Sequence, residues 1–421
     1  MEKNKIQHGK TVNLKETFSK QLSKCSYSDD VKNGIAYYGK YNDLPYKYLS
    51  LLDDSNPASV TSTWHNIAMI EIVKYMQGNG LMISAGDLPP VANTFNQTYN
   101  EVFEMLAWDF KIYGGCSIEV IWDRQTVIDG TEPRIAEIYH IPFKDIRAKE
   151  KNYRGLIESW YVSNKWKKNA RSPEDESVEE IPVFNPRLAS YDEANGQPPQ
   201  PKQILVIKRH NPASEYYPEP DYKGALVDIH IDSQVRKFKM CKLQNDISTN
   251  MIVQFVGDID DKDYGALADD FSEQYQGAAN AGTPILMNAK SGSETHQIIT
   301  PQNSKGNAET YNSYSDDARQ RILSSHGITF GEIVGIDDGK SLFNDEKMEK
   351  YITFLNTTIR DLQMPLLQGL NKLSPYLFGS DVELSIDPID ITEGFNPISR
   401  EGRQAPTSPQ TTITTTTETN G

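Results

Sequence analysis

Met251-Ile252-Val253-Gln254-Phe255-Val256 and Pro284-Ile285-Leu286-Met287 are short β-branched and apolar runs, separated by Tyr264, Leu267, Phe271 and Tyr275 at helical steps. Such runs read as strands and the spaced stripe between them as a helix, which predicts a small β-α-β module. The segments on either side have a different period. Residues 224–249 place Ile231, Val235, Phe238 and Cys241 on one helical face, with Asp232 and Arg236 as an i,i+4 pair. Residues 307–325 form a second helix, and Gly327 ends it. The order predicts two long helices with one compact module between them.

Upstream, the first fifty or so residues are polar and rich in tyrosine. Tyr37-Tyr38-Gly39-Lys40-Tyr41 before Leu44-Pro45 reads as an extended arm with turns. Asn56-Pro57 reads as a helix start, with Ile67, Ile70, Val73 and Met76 following until Gly78 and Gly80. A second helix is expected from about Val91, with the stripe Phe95, Tyr99, Val102, Leu106 and Phe110. Residues 116–122, 135–141, 158–165 and 204–208 then alternate as strands, giving an α+β lobe. Residues 167–201, with Asn185-Pro186, Asn195-Gly196 and Pro198-Pro199, read as a long loop.

Downstream, residues 335–343 form a short polar loop. Met348, Ile352, Leu355, Ile359, Leu362, Leu366, Leu370 and Leu373 then mark a long helix that Pro365 should kink or interrupt. A strand at 382–386 precedes a tail whose stretch from Thr407 to Thr419 holds eight threonines and no core pattern, expected to be disordered. The boundaries this implies are an arm at 1–55, an α+β lobe at 56–223, a helix at 224–249, an insert at 250–305, a returning helix at 306–327, a loop and long helix at 328–391 and a tail at 392–421. The fold class is α+β, with several lobes.

Composition narrows the function. With 58 acidic against 43 basic residues the net charge is −15, which argues against a tight general nucleic-acid binder. Only 37% of the 421 residues are hydrophobic, which favours several small lobes or subunit contacts over one large core. Cys25, Cys116 and Cys241 are odd in number and widely spaced, giving neither a disulfide framework nor a zinc knuckle. No stretch approaches the roughly 18 apolar residues of a membrane span, and the charged residues at 1–10 do not resemble a signal peptide, so a soluble, unexported chain is expected.

Two motifs tempt a chemical reading. Gly335-Ile336-Asp337-Asp338-Gly339-Lys340-Ser341 stands before a long helix like a phosphate loop, but is one residue short and places two carboxylates where phosphate would sit. Asp258, Asp260, Asp261 and Asp263 suggest a calcium loop, yet its sixth position is Asp263 rather than glycine and its twelfth Asp269 rather than glutamate. A solvated helix start accounts for them. Lys208, Arg209 and His210 could touch phosphate but read as a solvated strand end. The basic residues of 224–249, Arg236, Lys237, Lys239 and Lys242, read as a solvated face, with proximity to DNA as the second reading. No catalytic nucleophile or metal signature is present, so no enzyme and no cofactor are expected.

Three passages carry a resemblance: Tyr113-Gly114-Gly115-Cys116-Ser117-Ile118-Glu119-Val120; residues 138–147 with His140, Pro142 and Arg147; and residues 271–284, from Phe271 through Gly277 and Gly282 to Pro284. In their order of elements they resemble the portal proteins of tailed phages with HK97-type capsids, over residues 34–375. The resemblance implies a wing before Tyr222, stem helices at 224–249 and 307–325, a clip at 250–305, a tunnel loop at 335–343 and a spine helix after it. It implies a homo-oligomeric ring of about a dozen copies at one capsid vertex, through which double-stranded DNA passes non-specifically during packaging and ejection. The implied location is the virion, with host cytoplasm during assembly. The implied partners are the terminase large subunit, a head-completion or adaptor protein and the major capsid protein, with no membrane.

On that reading Asp337, Asp338, Lys340 and Ser341 lie nearest the DNA, while Asp258, Asp260, Asp261, Asp263 and Tyr275 belong to the docking surface. The chain departs from the family where Gly-Val-Pro often precedes the tunnel loop, since it has His326-Gly327-Ile328-Thr329, and no helical crown is evident after Ile391. Two other readings stand: a metal-dependent phage nuclease using the aspartates at 258–263, and another virion protein of tail or baseplate type.

Overall fold

The computed structural model describes residues 31–53, 61–129, 133–166, 176–190, 199–244, 252–256, 285–289, 306–335 and 344–389. The chain opens with a short hairpin, β1 (Val31–Lys32) and β2 (Ile35–Ala36), followed by α1 (Leu44–Ser50). This stretch is not the extended arm the sequence suggested. Tyr38 is buried, stacks at 4.2 Å on Tyr217 and belongs to the same core as Tyr48 and Phe143. Tyr38 and Tyr48 are core anchors of their own chain, a role that a polar composition conceals, while Tyr41 stays exposed.

α2 (Thr63–Gln77) starts later than Asn56-Pro57: Ser62 is its N-cap, accepting from the His65 amide. Its buried face is Ala68, Met69, Ile72, Val73 and Met76, so the expected stripe is rotated and Ile70 is 53% exposed. β3 (Gly80–Ile83) follows, and then α3 (Tyr99–Tyr113). α3 is set by a capping box in which the Thr98 hydroxyl accepts from the Glu101 amide at 3.1 Å and the Glu101 carboxylate from the Thr98 amide at 2.7 Å. The helix expected from Val91 therefore begins eight residues on, and Phe95, placed on its stripe, is 79% exposed.

β4 (Gly115–Trp122) is the centre of the lobe. After α4 (Arg124–Asp129), β5 (Ile135–Ile141) pairs antiparallel on one side of β4, and β9 (Lys202–Lys208) on the other. Cys116, Ile118, Val120 and Trp122 alternate into a core shared with α2 and α3, as period-two geometry requires. A second antiparallel sheet, β6 (Ile146–Ala148), β7 (Ser159–Val162) and β8 (Glu179–Pro182), stands beside the first. β8 corrects the expected loop at 167–201: Ile181 is buried in the core against Trp160, its partner on β7.

Next come a 3-10 turn at Asp221–Ala225 and α5 (Leu226–Gln244), then β10 (Ile252–Val256), β11 (Ile285–Ala289) and α6 (Gly306–Ser325). β10 and β11 pair in parallel, which requires a crossover connection and agrees with the β-α-β reading. The helix expected between them lies outside the described residues, as do the loop residues 336–343 and the tail from 390. α5 and α6 pack along each other and run antiparallel, since Asp228 is 4.0 Å from Arg321 and Lys239 bonds Asn312 at 3.1 Å.

The long helix is one rod in three parts: α7 (Asn344–Phe354), a π-helical turn at Leu355–Ile359, and α8 (Arg360–Leu370). The rod is not interrupted at Pro365. α-Helix continues through Pro365, and the wide turn lies upstream of it. Gly369 lets the rod lie directly on β9, because a Cβ at that position would come within 2.2 Å of the Ile207 side chain. After α9 (Ser374–Leu377), β12 (Leu384–Asp387) pairs antiparallel with β3 and closes the chain onto the lobe.

Candidate functional site

The base of the α5–α6 pair is where the two-helix limb meets the α+β lobe, and buried polar groups converge there. Ser62, the N-cap of α2, donates its hydroxyl proton to Asp232 on α5 at 2.7 Å, while the Arg236 guanidinium donates to the Thr61 carbonyl. Asp232 and Arg236 thus both grip the start of α2, rather than serving as the surface helix pair that their spacing suggested. One turn on, His65 Nδ1 lies 3.0 Å from His326 Nε2 at the end of α6, with both rings buried. Tyr222 packs on both, its ring centroid 4.8 Å from His65 and 5.3 Å from His326, and its hydroxyl donates to the Ile112 carbonyl. Beside them the fully buried Lys111 ammonium pairs with Asp221 at 2.6 Å. The Arg319 guanidinium lies 5.6 Å from the Trp64 ring centroid.

Burial dominates the electrostatics of this junction. Desolvation, helped by the Lys111 charge, lowers His65 to about 3, and desolvation, Lys111 and the neighbouring ring push His326 well below the ordinary histidine range. Both rings are therefore neutral at pH 7, and one donates the single proton that the other accepts. Desolvation also lowers Lys111, with Asp221 opposing it. What these groups can do is fix the limb to the lobe.

The other sequence-selected residues have distinct places. Beyond Arg236, α5 runs on for eight residues, about 12 Å of helix, and carries Lys237, half-buried, and Lys239, exposed and bonded to Asn312. The side chain of Lys242 lies outside the described residues, as do Asp258, Asp260, Asp261, Asp263, Tyr275, Asp337, Asp338, Lys340 and Ser341. Gly335, at the entry to the loop, is left-handed at φ 76°. Lys208 donates to the Tyr216 carbonyl and Arg209 pairs with Asp361 on α8, so both serve internal contacts. Among the described residues no cluster of three or more His, Cys, Asp or Glu could hold a metal, and no helix is long and apolar enough to cross a membrane.

Two of the three passages that carried the resemblance serve structural roles, and the third, at 271–284, lies outside the described residues. Gly114 ends α3 at φ 79°, where a Cβ would meet the Glu219 carbonyl at 2.3 Å, so only glycine fits that turn into β4. His140 lies 2.7 Å from Asp109, whose carboxylate also accepts from the Phe143 amide. Arg147, buried, donates to Asn42 and to the Lys144 and Ile146 carbonyls. His65, His326, Lys111 and Tyr222 gave no sequence signal: they lie far apart in the chain, and only the fold assembles them.

No family model and no curated relative matches the sequence. Solved structures do. A chain from the neck of a native gene transfer agent (GTA) particle, computed with C12 symmetry, superposes with a TM-score of 0.52 at 16% identity, over 90% of this chain and 92% of that one. The chain has the fold of that neck component. A chain of the native GTA virion matches with a TM-score of 0.51 at 18% identity, over 83% of this chain and 87% of that one. A looser similarity, TM-score 0.42 at 11% identity, is to the crystal structure of an HK97 family phage portal protein from Corynebacterium diphtheriae, over 83% of this chain and 98% of that one. The α+β class, with two helices flanking a strand pair, is the architecture expected from the sequence.

Proposed function

We propose that this chain is the subunit of a portal ring, set at one vertex of a virus-like capsid, through which double-stranded DNA enters and leaves. The observation that carries the reading is the antiparallel α5–α6 pair with a parallel strand pair inserted between its helices, in a fold shared with a component of a neck computed with C12 symmetry. In this reading α5 and α6 are the stem, residues 250–305 the clip, residues 335–343 the tunnel loop and the long rod the spine of the wing. Asp337, Asp338, Lys340 and Ser341 lie nearest the moving duplex. Asp258, Asp260, Asp261, Asp263 and Tyr275 contribute to docking of the terminase large subunit and a head-completion protein.

The charge supports a conduit. A chain of net charge −15 is poorly suited to holding phosphates through many bases, so in this reading DNA slides instead of sticking. The subunit is structural in this reading and hydrolyses no nucleotide itself. Electron microscopy of the purified full chain, averaged end-on, tests it: the expected image is a ring of about a dozen copies around a hole wide enough for a duplex. A monomer, or a threefold or sixfold assembly without such a hole, overturns it.

A further inference from the structure

The long rod is flanked by a groove of about 500 Å³, walled by Tyr75 on α2 and by Leu355, Ile359, Met364 and Leu367 on the rod. Its polarity is low for a surface, and apolar exposure continues beyond it: Met364 is 45% exposed and Ile352, one turn upstream of the π-helical turn, 47%. Pro388 and Ile389, the last described residues, line the same groove.

The path of the chain says what comes next. The Leu384 amide and carbonyl bond the Asn371 side chain, placing the start of β12 beside the C-terminal end of α8. Four residues on, the Pro388 carbonyl accepts from Asn79, just past the end of α2. Gln363 reaches the Tyr75 and Met76 carbonyls at that end of α2. The strand therefore travels back along the rod, from the level of residue 371 to about that of 363. Eight helical residues rise about 12 Å and four extended residues span about 13 Å, so the two directions agree. Continued at that pitch, residue 391 reaches the level of Leu355 and Asn356, and residue 395 that of Ile352 and Met348. Period two puts Ile389, Ile391, Glu393 and Phe395 on one side of an extended chain. The segment also carries Asp390 and Glu393, and this length of rod carries Arg360 and Lys350.

We infer that the chain's own residues 390–395 are the occupant of this groove, running antiparallel along the rod, with Ile391 covering Leu355 and Phe395 covering Ile352. The same chain supplies them, because tethering at Ile389 holds Ile391 at a high effective concentration that a neighbouring copy cannot match. The inference does not depend on the ring reading.

Hydrogen exchange on the full chain tests it. Ile391→Asp and Phe395→Asp should each raise amide exchange at residues 350–360 by about tenfold, while the strands of the β4 sheet keep their protection. A second variant, Asn356→Cys with Ile391→Cys in a Cys25→Ser background, should form a disulfide within one chain, read as a monomer on a non-reducing denaturing gel. Unchanged exchange in both aspartate variants overturns the inference. So does a cysteine pair that stays reduced under oxidation, or one that ties two chains together.

Discussion

His65 and His326 meet at 3.0 Å inside the junction of limb and lobe, where charging either ring would strand it beside Lys111. The folded protein resists protonating them, whereas the unfolded chain takes up protons below about pH 6.5. Their contribution to stability is therefore complete above pH 6.5 and is lost as pH falls toward about 3, the value to which His65 is lowered. Each ring contributes a slope of up to about 1.4 kcal/mol per pH unit in that window. Denaturant midpoints measured from pH 7 to 4 should fall more steeply for the native chain than for His65→Gln or His326→Gln, and equal slopes would remove the pair from the linkage. None of this was legible in the sequence, where His65 and His326 stand 261 positions apart among seven scattered histidines. Arg147 was legible as part of a motif, but its burial against Asn42 was not.

The rod illustrates what periodicity reads well and where it fails. A stripe with steps of three and four located the helix and its length. Yet its buried positions run Phe354, Ile359, Leu362, Leu366, Leu370 and Leu373. The step of five from Phe354 to Ile359 is the mark of the π-helical turn, in which one extra residue is accommodated. A three-and-four template steps across it by choosing Leu355 and misassigns Ile352, which is exposed. Strands were legible wherever β-branched residues alternate, as in β5 and β9, but β8 was hidden by flanking turn residues. Gly327 ties the π-helical turn to the end of α6: it is left-handed at φ 75°, its carbonyl accepts from Thr358 Oγ1 at 3.1 Å, and a Cβ there would meet Thr358 at 2.8 Å. Gly327→Ala should cost about 1–3 kcal/mol, measured by chemical denaturation. An alanine variant as stable as the native chain would show that the turn relaxes freely.

For the whole molecule the element order was the legible signal, and it carried further than any single residue. Helix, strand pair and returning helix could be read from changes of period, whereas the seating of the first tyrosines and of α2 depends on tertiary burial that composition does not encode. Under the portal reading, removing residues 337–342 should leave ring assembly intact while lowering DNA packaging or retention, checked by particle imaging and by nuclease protection of packaged DNA; full packaging would take the loop out of the mechanism. Downstream of that loop the rod rests on β9 at Gly369, against Ile207. Such bare contact works as a notch. A side chain at position 369 would fill it, and would have to wedge the rod away from the sheet or displace Ile207.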